Sequence, residues 1–89
     1  MLLTFGENRM NIYLLRANLN NSYWDDWFDK CFGMVIVAEA EEAARTLATT
    51  AGGAEDSAVW QDTAFTTCEL VGTASTVSES VLLTDEHWA

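Results

Sequence analysis

Asp25, Asp26 and Asp29 stand in the run Asp25-Asp26-Trp27-Phe28-Asp29. This is the DDxxD spacing at which clustered carboxylates hold hard cations through oxygen and, through them, a diphosphate. A chain of 89 residues with a mixed pattern cannot enclose such a cluster and its ligand in a large cavity. The same run alternates its carboxylates with Trp24, Trp27 and Phe28, just after Tyr23. Trp and Tyr dominate interface hot spots, and carboxylates around them pair with Lys or Arg of a basic partner. Two readings therefore stand side by side. One is a partner-binding surface in which Trp24 and Trp27 anchor and Asp25, Asp26 and Asp29 supply charge. The other is a solvated acidic loop whose rings pack inward. Exposure of Trp24 and Trp27 separates them. Glu41 and Glu42 form a second candidate acidic patch.

Nothing else in the chain supports catalysis. His87 is the only histidine and lies two residues from the end, where chains are seldom ordered enough to act as a general base. Cys31 and Cys68 form no CxxC, have no neighbouring base, and read as small buried hydrophobes; nothing demands a disulfide between them. Gly52-Gly53 follows a helical pattern, whereas phosphate-binding glycines precede one. The sequence reads as non-enzymatic, with no cofactor and no metal.

Fourteen acidic residues against four basic ones and one His give a formal charge of −10. Such a charge serves solubility or complements a basic partner. It argues against nucleic acid and anionic membrane as direct partners, because both require a basic surface. With 49% apolar residues, including four Trp and four Phe, the chain can fill a core despite that charge. Its length fits one domain, residues 1–89, which buries roughly 60–65% of its unfolded surface. No apolar run approaches the ~20 residues of a membrane-spanning helix, and Met1-Leu2-Leu3 is too short for a signal peptide. The expected compartment is the cytoplasm. Met10 opens a segment that reads like a natural start, so residues 1–9 read as an N-terminal extension.

Four strands and one helix must position these residues. Strand composition marks Asn11–Ala17, Met34–Ala38, Phe65–Gly72 and Ser80–Thr84. The first two have apolar side chains on both faces, as interior strands do. The long connection between them suggests function or a local helical turn. Glu39–Ala51 carries Ala40, Ala44, Leu47, Ala48 and Ala51 at helical spacing. Glu41 and Glu42 fall in its first turn, where the helix dipole favours anions. Glu41 and Arg45 form an i,i+4 pair worth ~0.3–0.5 kcal/mol at a surface. Gly52-Gly53 stops the helix. Ala54–Asp62 is a polar connection in which Trp60 caps the core edge, Gly72–Ser78 is a turn, and Asp85 to Ala89 is an acidic tail. The fold class is α+β, a short mainly antiparallel β-β-α-β-β sheet with one helix packed on a face.

Val35-Ile36-Val37-Ala38-Glu39-Ala40-Glu41-Glu42-Ala43-Ala44-Arg45, preceded by an aromatic–Asp segment and followed by Trp60 and by Cys68 to Gly72, resembles a widespread set of small acidic phage and prophage proteins. The likeness spans about residues 10–84 and rests on common residue types. Two positions depart from the pattern. Cys31-Phe32 replaces the usual Tyr-Asp before the strand, and Ala40 replaces the usual Ser or Asp at the helix N-cap, which forgoes ~1 kcal/mol. In size and charge the chain also resembles phage-encoded anti-CRISPR inhibitors. That resemblance implies an inhibitor in the host cytoplasm whose carboxylates occupy Lys/Arg sites that otherwise hold phosphates of guide or target nucleic acid. The alternative expectation is a non-catalytic structural or assembly module that pairs with a copy of itself through a sheet edge or an apolar face, as a homodimer.

Overall fold

A computed structural model describes residues 9–25, 30–53, 55–75 and 78–87. Strands β1 (Arg9–Ala17), β2 (Lys30–Ala38), β3 (Thr66–Ser75) and β4 (Ser80–His87) form one sheet with every pairing antiparallel, in the order β3-β1-β2-β4. Helix α1 (Glu41–Ala51) packs on one face, and 3₁₀ turns occupy Ser22–Asp25 and Ser57–Gln61. The architecture is the expected α+β one. β1 and β2 are the interior strands, which is why both carry apolar side chains on both faces.

The strands run further than local composition marks them. β2 begins at Lys30 rather than Met34, because Lys30, Cys31 and Gly33 pair with His87, Glu86 and Asp85. The same pairing turns Asp85, Glu86 and His87 from a tail into the last part of β4. Trp88 and Ala89 lie outside the described residues. Gly72 is not a turn residue: it lies in β3 opposite Ile12, beside a register shift that lets the strand reach Ser75. α1 starts two residues late, at Glu41, because Ala40 is extended (φ −153°, ψ 167°) and has no capping side chain.

Tyr13, Leu15, Met34 and Ile36 line the face under α1, where Ala44 and Ala48 are both fully buried. Their small side chains let the helix approach the sheet closely. Trp60 is 0% exposed and sits in the core, not at its edge. It is carried there by the 3₁₀ turn Ser57–Gln61, which Asp56 caps by accepting from the Ala58 N–H at 3.0 Å. Among the described residues, no helix is long and apolar enough to cross a membrane.

Candidate functional site

The aromatic–acidic segment divides. Trp24 is 1% exposed, so it is a core residue and not an anchor presented to a partner. Its ring packs edge-on against Phe32 at 5.4 Å and lies 5.9 Å from Trp60, and its indole N–H donates to the Phe65 carbonyl at 2.8 Å. Tyr23 packs on Trp24 and Phe65, and its hydroxyl accepts from the Asp56 N–H at 2.7 Å. The Asn residues before it explain the sharp return of the chain. Asn18 and Asn21 each cap a local turn through Oδ1, and both donate to the Ala64 carbonyl. They tie the connection after β1 to the start of β3. Asp25 ends the 3₁₀ turn and is exposed. Asp26, Trp27 and Asp29 lie outside the described residues.

The connection after α1 holds a carboxylate that sequence reading passed over. Glu55 is 7% exposed. Its Oε1 accepts from the backbone N–H of Cys31 and of Gly53, each at 2.9 Å, and its Oε2 accepts from the Trp60 indole at 2.8 Å. The carboxylate thus joins the end of α1, the start of β2 and the second 3₁₀ turn. Gly52 is required by space: a Cβ there would collide with the Glu55 carboxylate and press on the Trp60 ring. Its φ of −77° is ordinary, so it does not end the helix by left-handed conformation. No spacing rule marks Glu55; a carboxylate five residues before a Trp was the available signal.

Arg45 is likewise not a surface residue. It is 6% exposed and donates to the Trp60 carbonyl and Thr66 Oγ1, both at 2.9 Å, as well as to Glu41 at 2.9 Å. The expected i,i+4 pair is present, but one partner is buried and the other side chain is half exposed.

The exposed surface is acidic with few cations to offset it. Of the three cations whose side chains are described, Arg45 is buried, Lys30 donates to the Tyr23 carbonyl at 2.9 Å and sits 4.6 Å from that ring, and Arg16 reaches Glu69 at 3.7 Å. Glu41 and Glu42 are both exposed, and Glu39 and Glu79 join them: the Glu39 N–H donates to the Glu79 carboxylate at 3.1 Å. This patch follows the exit of β2, whereas Asp25 precedes its start. Glu41 turns back through Arg45 toward Thr66, which pairs with Ala17 at the end of β1 that the Asp25 turn follows. Among the described residues no three His, Cys, Asp or Glu side chains converge as a metal site would require.

Cys31 and Cys68 are free thiols, the first buried and the second partly so. Burial pushes both up to about 11 from 9.0, with the Glu55 carboxylate adding to Cys31 and Glu41 to Cys68. A thiol held two units high has roughly a hundredfold less thiolate at pH 8 than one in the unfolded chain. Iodoacetamide should therefore alkylate both about a hundredfold more slowly in the folded protein, the rate rising with pH to about 11. The folded state keeps protons that the unfolded state releases, so their contribution to stability is complete below pH 9 and is lost between about 9 and 11. Equal alkylation rates in folded and denatured protein would contradict this environment.

No family model matches the chain, and no curated protein or solved structure shows significant similarity to it.

Proposed function

We propose that the protein is a non-catalytic inhibitor that binds a basic surface of a host defence complex and takes the place of nucleic-acid phosphates there. It is encoded by a phage or mobile element, acts in the host cytoplasm and belongs to the anti-CRISPR type. The observation that carries the reading is the unequal fate of its charges. Carboxylates such as Asp25, Glu39, Glu42 and Asp62 are exposed, while the described cations are buried, folded onto an aromatic ring or paired. A surface with that imbalance attracts Lys- and Arg-rich sites from a distance and loses the attraction as salt rises.

The test is capture of host proteins on the immobilised protein at low and moderate salt. A nucleoprotein complex should be retained, released as salt rises, and displaced by excess DNA. Reversal of Asp25, Asp26 and Asp29, or of Glu39 and Glu42, should weaken retention roughly tenfold or more without unfolding the domain. Retention indifferent to salt and to both variants rules the reading out.

A second reading is a self-associating structural module. Edge strand β3 favours it, with Leu70 58% and Val71 52% exposed beside unpaired backbone groups. A mass in solution at twice 9.9 kDa separates the two.

A further inference from the structure

The face of the sheet opposite α1 carries one apolar row with acidic margins. Leu14 is paired with Glu69 on one side and Val35 on the other, and Val35 with Leu83, so the row Glu69–Leu14–Val35–Leu83 crosses all four strands. The row beside it runs Thr67–Arg16–Gly33–Asp85, and the row beyond runs Gly72–Ile12–Val37–Ser80. Directly opposed residues share a face, and Tyr13, Leu15, Met34 and Ile36 take the other one, under the helix. Leu83 is 65% exposed, and Ile12, Leu14 and Val35 are partly so. A hollow of about 80 Å³ opens beside Leu83, lined by Gly33, Met34, Val35, Leu83 and Asp85. A Cβ on Gly33 would meet the Leu15 carbonyl oxygen at 3.4 Å and the Arg16 and Asp85 side chains at 3.8 and 3.9 Å.

We propose that this face docks an amphipathic basic helix of the partner protein. The helix runs parallel to the strands, with Leu14, Val35 and Leu83 across its apolar side; one side chain enters the hollow, and Lys or Arg on its two flanks reach Glu69 and Asp85. The inference rests on the reading that the partner is basic. Four strands spaced ~4.8 Å apart span about 14 Å, which fits a helix 10–12 Å wide lying over β1 and β2. The Arg16–Glu69 pair is long and more than half exposed at both ends, so a closer cation can displace it. A second copy of the chain is the poorer occupant, because it brings a further −10 to a face whose margins are already acidic.

The test is an NMR titration of the labelled protein with a synthetic helical peptide carrying Leu on one face and Lys on the other. A permuted peptide of the same composition, with its Leu dispersed around the helix, serves as control. Amide shifts should map to Leu14, Val35 and Leu83 and to both margins. The permuted peptide, and the amphipathic peptide with the L83D variant, should each bind roughly tenfold or more weakly. Equal binding of the two peptides, or shifts confined to Glu39 and Glu42, overturns the assignment. Concentration-dependent shifts at the same residues without peptide also overturn it, by naming a second copy as the occupant. Peptide docking here without any salt-sensitive partner in the capture experiment defeats the inhibitor reading alone. A captured partner that is lost on reversing Glu39 and Glu42 but kept by L83D defeats this docking surface alone.

Discussion

Replacing Glu55 with Ala is expected to remove about 3–5 kcal/mol of folding stability, because three donors, two of them buried, lose their acceptor at once and each unsatisfied buried group costs about 1–3 kcal/mol. Water entering the vacated space recovers part of the gross sum. A domain of this length has roughly 4–13 kcal/mol in all, so the loss is a large fraction of it. The three donors come from different parts of the fold, Cys31 in β2, Gly53 after α1 and Trp60 in a 3₁₀ turn, so the carboxylate bonds together elements that a single hydrophobic contact would leave free to slide. Urea unfolding followed by tryptophan fluorescence reads the effect. E55Q provides a graded comparison, since its remaining oxygen can serve the two backbone donors while its NH₂ opposes the Trp60 indole. It should cost less than E55A, and its own cost should shrink further in a W60F background, where the indole donor is gone. An E55A variant within about 0.5 kcal/mol of the parent would mean that Glu55 is a surface residue.

How much of this was legible in the sequence depends on whether a side chain's role is set by its neighbours along the chain or across it. The helix could be read because Ala44, Leu47, Ala48 and Ala51 repeat within one element, and the interior places of β1 and β2 could be read because their alternation is apolar on both faces. Lys30 to Gly33 and Asp85 to His87 could not be assigned to strands, because each segment is held extended by the other across the sheet and neither has strand composition of its own. Trp24 carried the same ambiguity at the candidate site. Its neighbours in sequence are carboxylates, which suggested a surface, but its partners in space are Phe32, Phe65 and Trp60, which make it core. Asp25, Glu41 and Glu42 were legible as exposed charge because, among the described residues, no buried donor claims Asp25 or Glu42 and only Arg45 reaches Glu41. Glu55 was missed for the opposite reason: all three donors that bury it are invisible until the chain folds.

Arg45 is the sharpest case, because two readings of one ion pair predict effects that differ several-fold. As a surface i,i+4 pair with Glu41 it would be worth ~0.3–0.5 kcal/mol, and removing either partner would cost about the same. In the fold the guanidinium also supplies the Trp60 carbonyl and the Thr66 hydroxyl, and that hydroxyl in turn donates to the Val59 carbonyl at 2.8 Å. R45M keeps the aliphatic stem and removes the fork, leaving buried acceptors without a donor. The expected loss is about 2–4 kcal/mol, or roughly 10–25 °C in Tm for a domain of this size. E41Q should move Tm by no more than a few degrees, roughly, because the Glu41 side chain is half exposed and water replaces the lost charge. R45K should fall between them, since an ammonium keeps the charge but cannot reach the Trp60 carbonyl, Thr66 and Glu41 from one planar group. The asymmetry between R45M and E41Q is the deciding observation, measurable in one set of thermal melts. Equal small shifts would return Arg45 to the surface and cut the link between α1, the second 3₁₀ turn and the start of β3. A large shift for R45M alone would establish that a charge counted on the basic side of the sequence is spent inside the fold, as Glu55 is on the acidic side, so the two buried charges offset and the exterior keeps the formal −10.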